Sequence, residues 1–226
     1  MATPTLLLVD NALDHSLYRP RDHWERLAGG SLAVVRPPLG EALPEPGLHT
    51  HVILSGSEAS IVERAAWAEA ELRWVRRAAA AGVRLLGSCW GHQLIAAALG
   101  GPRCVRRALT PEVGWVAITV RDEGLLPPGE LWSFASHFDE VVPGSHPDLH
   151  VLAGNPACAV QALRWADLPV WGVQPHPEIS LPEGEAFLRT TLHRWPNLAT
   201  ICAAALAGPR RDSEAGAALL PRFLAA

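Results

Sequence analysis

No apolar run in this chain of 226 residues reaches the roughly 18 to 20 residues that a membrane span requires, so no membrane segment is expected. The first residues, MATPTLLLVDN, lack a basic start, and Asp10 ends the apolar run too early for a secretory leader. A cytoplasmic location is the expectation. No C-x-x-C pair joins Cys89, Cys104, Cys158 and Cys202, which argues against a disulfide framework and a zinc knuckle. No basic stripe is present either: 19 Lys and Arg stand against 23 Asp and Glu, a formal charge of -4 without long blocks. Nucleic acid is therefore not an expected partner. Repeats, low-complexity tracts, linkers and a P-loop are also lacking. One domain over residues 1–226 follows, long enough for a sizeable α/β core and short for two. His49-x-His51 and the stretch His146 to His150 have no acidic or cysteine cluster beside them, so neither a metal nor another cofactor is expected.

What is present alternates. Thr5 to Val9, Leu32 to Val35, His51 to Leu54 and Val83 to Leu86 read as buried strands. Between them, Leu17 to Leu27 and Ile61 to Ala81 read as helices closed by glycines. That order predicts a parallel sheet covered on both faces, with ligands gathering at the carboxyl ends of the strands. From residue 101 the pattern changes, and Trp115 to Val120 and Val151 to Leu163 suggest an antiparallel meander. Val170 to Gln174 reads as the last strand. A mostly helical tail runs from about 183 to 226, divided by Pro196 and Gly208-Pro209.

One stretch carries chemistry. Gly87-Ser88-Cys89-Trp90-Gly91 joins the fourth strand to a helix, and it has the spacing of a nucleophile elbow with a thiol in place of a hydroxyl. In such a turn the flanking glycines remove side chains that would collide with the adjoining strand and helix. The turn also sets Cys89 at a helix N-terminus, where unpaired N–H groups favour thiolate. Cysteine is among the most buried and inert residue types, and it is the glycine spacing that argues for a reactive one.

A nucleophile needs a base, and a base needs an orienting group. Gln174-Pro175-His176-Pro177-Glu178 ends the last strand. Pro177 biases His176 toward extended geometry, which puts His176 and Glu178 on one side of the chain. Glu178 can then fix the tautomer of His176 and stabilise its imidazolium.

Taken together these stretches resemble the class I glutamine amidotransferases, whose signatures are a G-x-C-x-G-x-Q elbow and a downstream H-P-E. The landmarks occur in the family order: Leu54 to Ser57, Gly87 to Gln93, Ser136-His137-Phe138-Asp139, and Gln174 to Glu178. The resemblance spans roughly Thr5 to Trp195. It implies a flavodoxin-like three-layer α/β fold, with a mostly parallel central sheet and a smaller antiparallel portion. It also implies a Cys89, His176, Glu178 triad that hydrolyses the side-chain amide of glutamine through a γ-glutamyl thioester. Ser57 and Trp90 would supply the oxyanion-hole N–H groups. Gly56, Gln93, Ser136, His137 and Phe138 would surround the substrate. With no synthetase segment in the chain, an ammonia-accepting synthetase would act in trans.

Three positions depart from the commonest pattern: Ser57 replaces a second glycine, Phe138 a glycine, and Pro175 an aromatic residue. Phe138 places a large ring beside the substrate end and lends weight to an alternative, a peptidase acting on γ-glutamyl conjugates. A non-catalytic scaffold is the third reading, disfavoured because all three triad residues are present.

Overall fold

The computed structural model describes residues 5–121, 124–211 and 215–226. Its centre is a nine-stranded sheet. In chain order the strands are β1 (Leu6–Val9), β2 (Ala33–Val35), β3 (His51–Leu54), β4 (Arg84–Ser88), β5 (Val105–Val120), β6 (Gly129–Val141), β7 (Leu149–Gly154), β8 (Ala162–Trp165) and β9 (Val170–Val173). Across the sheet they run β2-β1-β3-β4-β9-β8-β7-β5-β6. The ladders from β2 to β9 are parallel, and those from β9 to β6 are antiparallel. The helices are α1 (Pro20–Ala28), α2 (Ala66–Ala80), α3 (Trp90–Gly100), α4 (Leu181–Arg194), α5 (Ala199–Ala207) and α6 (Ala215–Ala225). None of the helices described is long and apolar enough to cross a membrane.

β1, β3 and β4 are short apolar strands buried on both faces, as parallel strands under helices must be. On one face α2 and α3 bury Leu72, Val75, Leu94 and Ile95 against Val52, Leu54 and Leu85. On the other, Trp24 of α1 and Leu219 and Phe223 of α6 pack with Leu8, Ile53 and Leu86. A third cluster, around Phe134, Trp115 and Ile179, lies beneath α4 and α5.

The second helix starts later than its composition predicts, at Ala66 rather than Ile61. Asp139 of β6 captures the preceding segment: its Oδ2 accepts from Ser60 Oγ at 2.6 Å and from Ile61 N at 3.1 Å. Arg64 then turns through φ 52°. These long-range bonds hold residues 60–65 at the sheet edge instead of in the helix. The strand β6 carries Ser136 to Asp139 and pairs with β5 along almost its whole length. Asn155 to Gln161 interrupt the apolar stretch from Val151 to Leu163, so it forms two strands. The tail divides at the two predicted places into α4, α5 and α6.

Candidate active site

The carboxyl ends of β3, β4 and β9 meet in one region, and the turn after β4 is its centre. Cys89 lies between β4 and α3 with φ 50° and ψ −106°, a strained conformation for a residue with a side chain. The turn is gripped on both sides: Cys89 N donates to Val173 O at 2.9 Å, and Cys89 O accepts from Gln93 N at 3.1 Å. A Cβ at Gly91 would lie 2.1 Å from Leu54 O, and one at Gly87 2.4 Å from the Gly91 carbonyl. Both glycines are thus sterically required by the sharp reversal.

His176 leaves the end of β9 in extended geometry and pairs with β6, its N–H donating to Phe134 O at 2.7 Å. Its Nδ1 lies 2.8 Å from Glu178 Oε1. Glu178 is fully buried and held by two groups that the sequence did not bring to notice. Tyr18 OH donates to its Oε1 at 2.6 Å and Ser88 Oγ to its Oε2 at 3.1 Å. Burial and the neighbouring Glu178 charge push the Tyr18 phenol well up, so it remains a donor. For Glu178 burial acts upward, and the charge and hydrogen bond of His176 with the Tyr18 bond outweigh it and hold the carboxyl low. For His176 burial acts downward, and the facing charges of Cys89 and Glu178 with their hydrogen bonds outweigh it, raising the ring to about 10. The electrostatics favour imidazolium in His176 beside the Glu178 carboxylate.

Gly56 completes the contact. A Cβ there would lie 2.6 Å from His176 Cε1 and 3.5 Å from Cys89 Cβ, so only glycine lets the turn after β3 approach both. That turn is braced from beneath. Ser55 Oγ accepts from Asn11 N and donates to Gly56 O, each at 2.9 Å. Asn11 in turn donates through Nδ2 to Glu71 Oε1 of α2 at 3.1 Å.

Cys89 and His176 open onto a cavity of about 540 Å³, whose wall also includes Ser57, Trp90, Gln93, Ser136, His137 and Phe138. All the residues singled out from the sequence except Gly56 and Glu178 therefore line one space, and those two sit directly behind it. Cys89 Sγ lies 3.8 Å from Ser136 O. Gln93 Nε2 donates to Asp139 O at 2.8 Å, tying α3 to β6. His137 is clamped between Asp139 O and Glu112 Oε2, each at 3.0 Å. Phe138 is 38% exposed. Trp90 is buried and its ring lies 4.9 Å from that of Trp67.

Among the described residues, Glu112, His137 and Cys158 place three potential metal ligands within 4.8 Å of one another. Glu112 also anchors a hydrogen-bonded network with His137. Asn155 and Gln161 donate to the two Glu112 oxygens at 2.7 and 2.6 Å. Burial pushes the Cys158 thiol up to about 12. The histidines weighed from the sequence go elsewhere: His51 packs against Phe223 and His146 against Trp165. Asp10 ends β1 by accepting from His15 and Arg36.

A parallel sheet that presents a strained cysteine beside a carboxylate-bound histidine defines a class of α/β proteins with a thiol at a strand-to-helix turn. The family model for glutamine amidotransferase class-I matches residues 45–195, more than half of the chain. The chain belongs to that family. It is 41% identical over 105 residues to a glutamine-hydrolyzing GMP synthase subunit from Methanococcus aeolicus, covering 45% of this chain and 54% of that protein. It is 35% identical over 166 residues to the glutamine-hydrolyzing GMP synthase of Aeropyrum pernix, covering 71% of this chain and 29% of the other. The chain spans about half the length of the curated subunits it matches. A glutamine amidotransferase from Thermotoga maritima has the same fold, with a TM-score of 0.73 over 100% of both chains at 15% identity.

Proposed function

We propose that the chain hydrolyses the side-chain amide of glutamine, with Cys89 as nucleophile, His176 as proton carrier and Glu178 as its orienting partner. The observation that carries this reading is the Nδ1 contact of 2.8 Å from His176 to Glu178, with His176 and Cys89 lining one cavity. In the first step the Cys89 sulfur attacks the amide carbon and the carbonyl oxygen becomes an oxyanion. The N–H groups of Ser57 and Trp90 are the assigned donors to it, each worth roughly 3 kcal/mol of barrier. His176 gives a proton to the departing nitrogen, and ammonia leaves. Water then attacks the γ-glutamyl thioester, His176 takes its proton, and glutamate departs as the sulfur is restored.

The relatives are named as glutamine-hydrolyzing GMP synthases, and several as one subunit of such an enzyme. That supports a synthetase in trans as the consumer of the ammonia, and a single glutamine amidotransferase-like domain as this chain's share of the work. The test is ammonia release from glutamine by the wild-type protein and by Cys89→Ala. The substitution should lower the rate at least a thousandfold with the far-UV spectrum unchanged. Equal rates in the two proteins would falsify the assigned nucleophile.

A further inference from the structure

Tyr18 is the only tyrosine of the chain, which otherwise draws its aromatic rings from nine Trp and four Phe. It is buried in the loop between β1 and α1. Its ring meets that of His176 edge-on, with centroids 5.3 Å apart, and stacks on the ring of His23 of α1 at 5.6 Å. A phenylalanine would make both ring contacts. What tyrosine adds is a hydroxyl, and that hydroxyl goes to Glu178.

The bond falls on the oxygen that faces the histidine. Glu178 Oε1 accepts from Tyr18 OH at 2.6 Å and lies 2.8 Å from His176 Nδ1, so one oxygen serves both groups. Ser88 Oγ lies 3.1 Å from Oε2 and 3.3 Å from Oε1. Among the described residues no other side chain bonds this fully buried carboxylate. A carboxylate out of solvent stays ionised through donors and opposite charge, and it takes up a proton more readily as these are removed.

The charged and titratable groups nearby do not replace the phenol. Arg26 of α1 donates at 2.6 Å to the backbone carbonyl of Glu178, not to its side chain, and also to Glu183 of α4. His23 Nδ1 lies 3.1 Å from Glu183 Oε1. Asp10 at the end of β1 and Cys89 after β4 act on Tyr18 with negative charge, as Glu178 does. Of all these groups only His176 sets a positive charge against the carboxylate.

We propose that Tyr18 is a positioning residue for the hydrolysis, its hydroxyl fixing the Glu178 carboxylate at the oxygen shared with His176 and keeping it ionised. The proposal rests on the hydrolase reading above and adds the group that sets the acid limit of its activity. The phenol is neutral, so it drains charge from Oε1 without competing with His176 for the ion pair. The direction follows. Activity needs Glu178 ionised, a donor holds the pH of its protonation down, and removing that donor brings the protonation to higher pH.

The intact protein is assayed for ammonia release from glutamine over a series of pH values. Tyr18→Phe should move the acid limb of kcat/KM up by about one pH unit, which is about a fivefold loss at the wild-type midpoint. Expression with 3-fluorotyrosine alters position 18 alone, because the chain has one tyrosine. Its more acidic phenol is a stronger donor, it keeps the hydroxyl in place, and it should move the limb down. Proton NMR supplies a reading without turnover: the Nδ1 proton of His176 should move downfield in Tyr18→Phe, since Oε1 loses a competing donor. In a wild-type protein that hydrolyses glutamine, a limb or a proton signal unmoved by these changes overturns the role of Tyr18 and leaves the hydrolase standing. A wild-type protein silent toward glutamine overturns the hydrolase reading together with the proposal.

Discussion

Glu71 is a carboxyl group on α2 with no cation to answer it among the described residues. It is fully buried, one oxygen accepts from Asn11, and the other has no partner among the described residues. Burial raises its pKa to about 8, with the Asn11 hydrogen bond opposing. The folded protein therefore keeps this proton at neutral pH while the unfolded chain releases it. The stabilisation linked to that proton is complete below about 4.5, the unfolded value, and is lost progressively as pH rises to about 8. Glu71→Gln removes the titration. Over that window the wild-type unfolding free energy should fall relative to the variant by up to about 1.4 kcal/mol per pH unit. Urea denaturation of both proteins at a series of pH values reads the difference, and parallel pH profiles would refute it. Individual residues differed in how far sequence could expose them. Cys89, His176 and Glu178 sit in short stretches whose glycine and proline neighbours announce the geometry. Tyr18 and Ser88 hold the same carboxylate from 160 and 90 residues away, and no local pattern encodes such a meeting.

The junction of β4 and α3 is where an element, rather than a side chain, carries the site. Gly91 allows α3 to begin directly against the carbonyl of Leu54, the last residue of β3. Gly91→Ala forces a methyl group into a backbone oxygen, and we expect a loss of at least about 2 kcal/mol. Gly30→Ala is the matched control, because a Cβ there meets nothing within 4 Å. Thermal denaturation should show a clear fall in Tm for the first and a change near zero for the second. The strands β1 to β4 were legible because apolar runs between glycine turns are local. β6 was not, because its polar residues are buried by β5 and by the loop before α2, and their burial is settled by partners in three dimensions.

At the scale of the whole molecule, the tail is part of the sheet's cover. Phe223 of α6 is fully buried with Trp24, Ile53 and Leu86, and its ring meets those of His51 and Trp171 edge-on. Phe223→Ala should cost about 3 to 5 kcal/mol, seen as a lower urea midpoint with the m-value unchanged. The same helix reaches the active region: a Cβ at Gly216 would lie 2.3 Å from Pro177 O, so α6 backs the turn that holds His176. The order of the parallel half follows from alternating strands and helices. That of the antiparallel half depends on long pairings that composition does not specify.

The hydroxyl of Ser55 works as a latch. A trans peptide points its carbonyl and its amide hydrogen in opposite directions, and no cis peptide is found among the described residues. By donating to Gly56 O at 2.9 Å, the Ser55 hydroxyl braces the peptide plane that also carries the Ser57 N–H. Under the proposed chemistry the oxyanion donor is cocked before any partner protein docks. On that proposal a synthetase would govern where the ammonia goes, and the hydrolytic step would not wait for it.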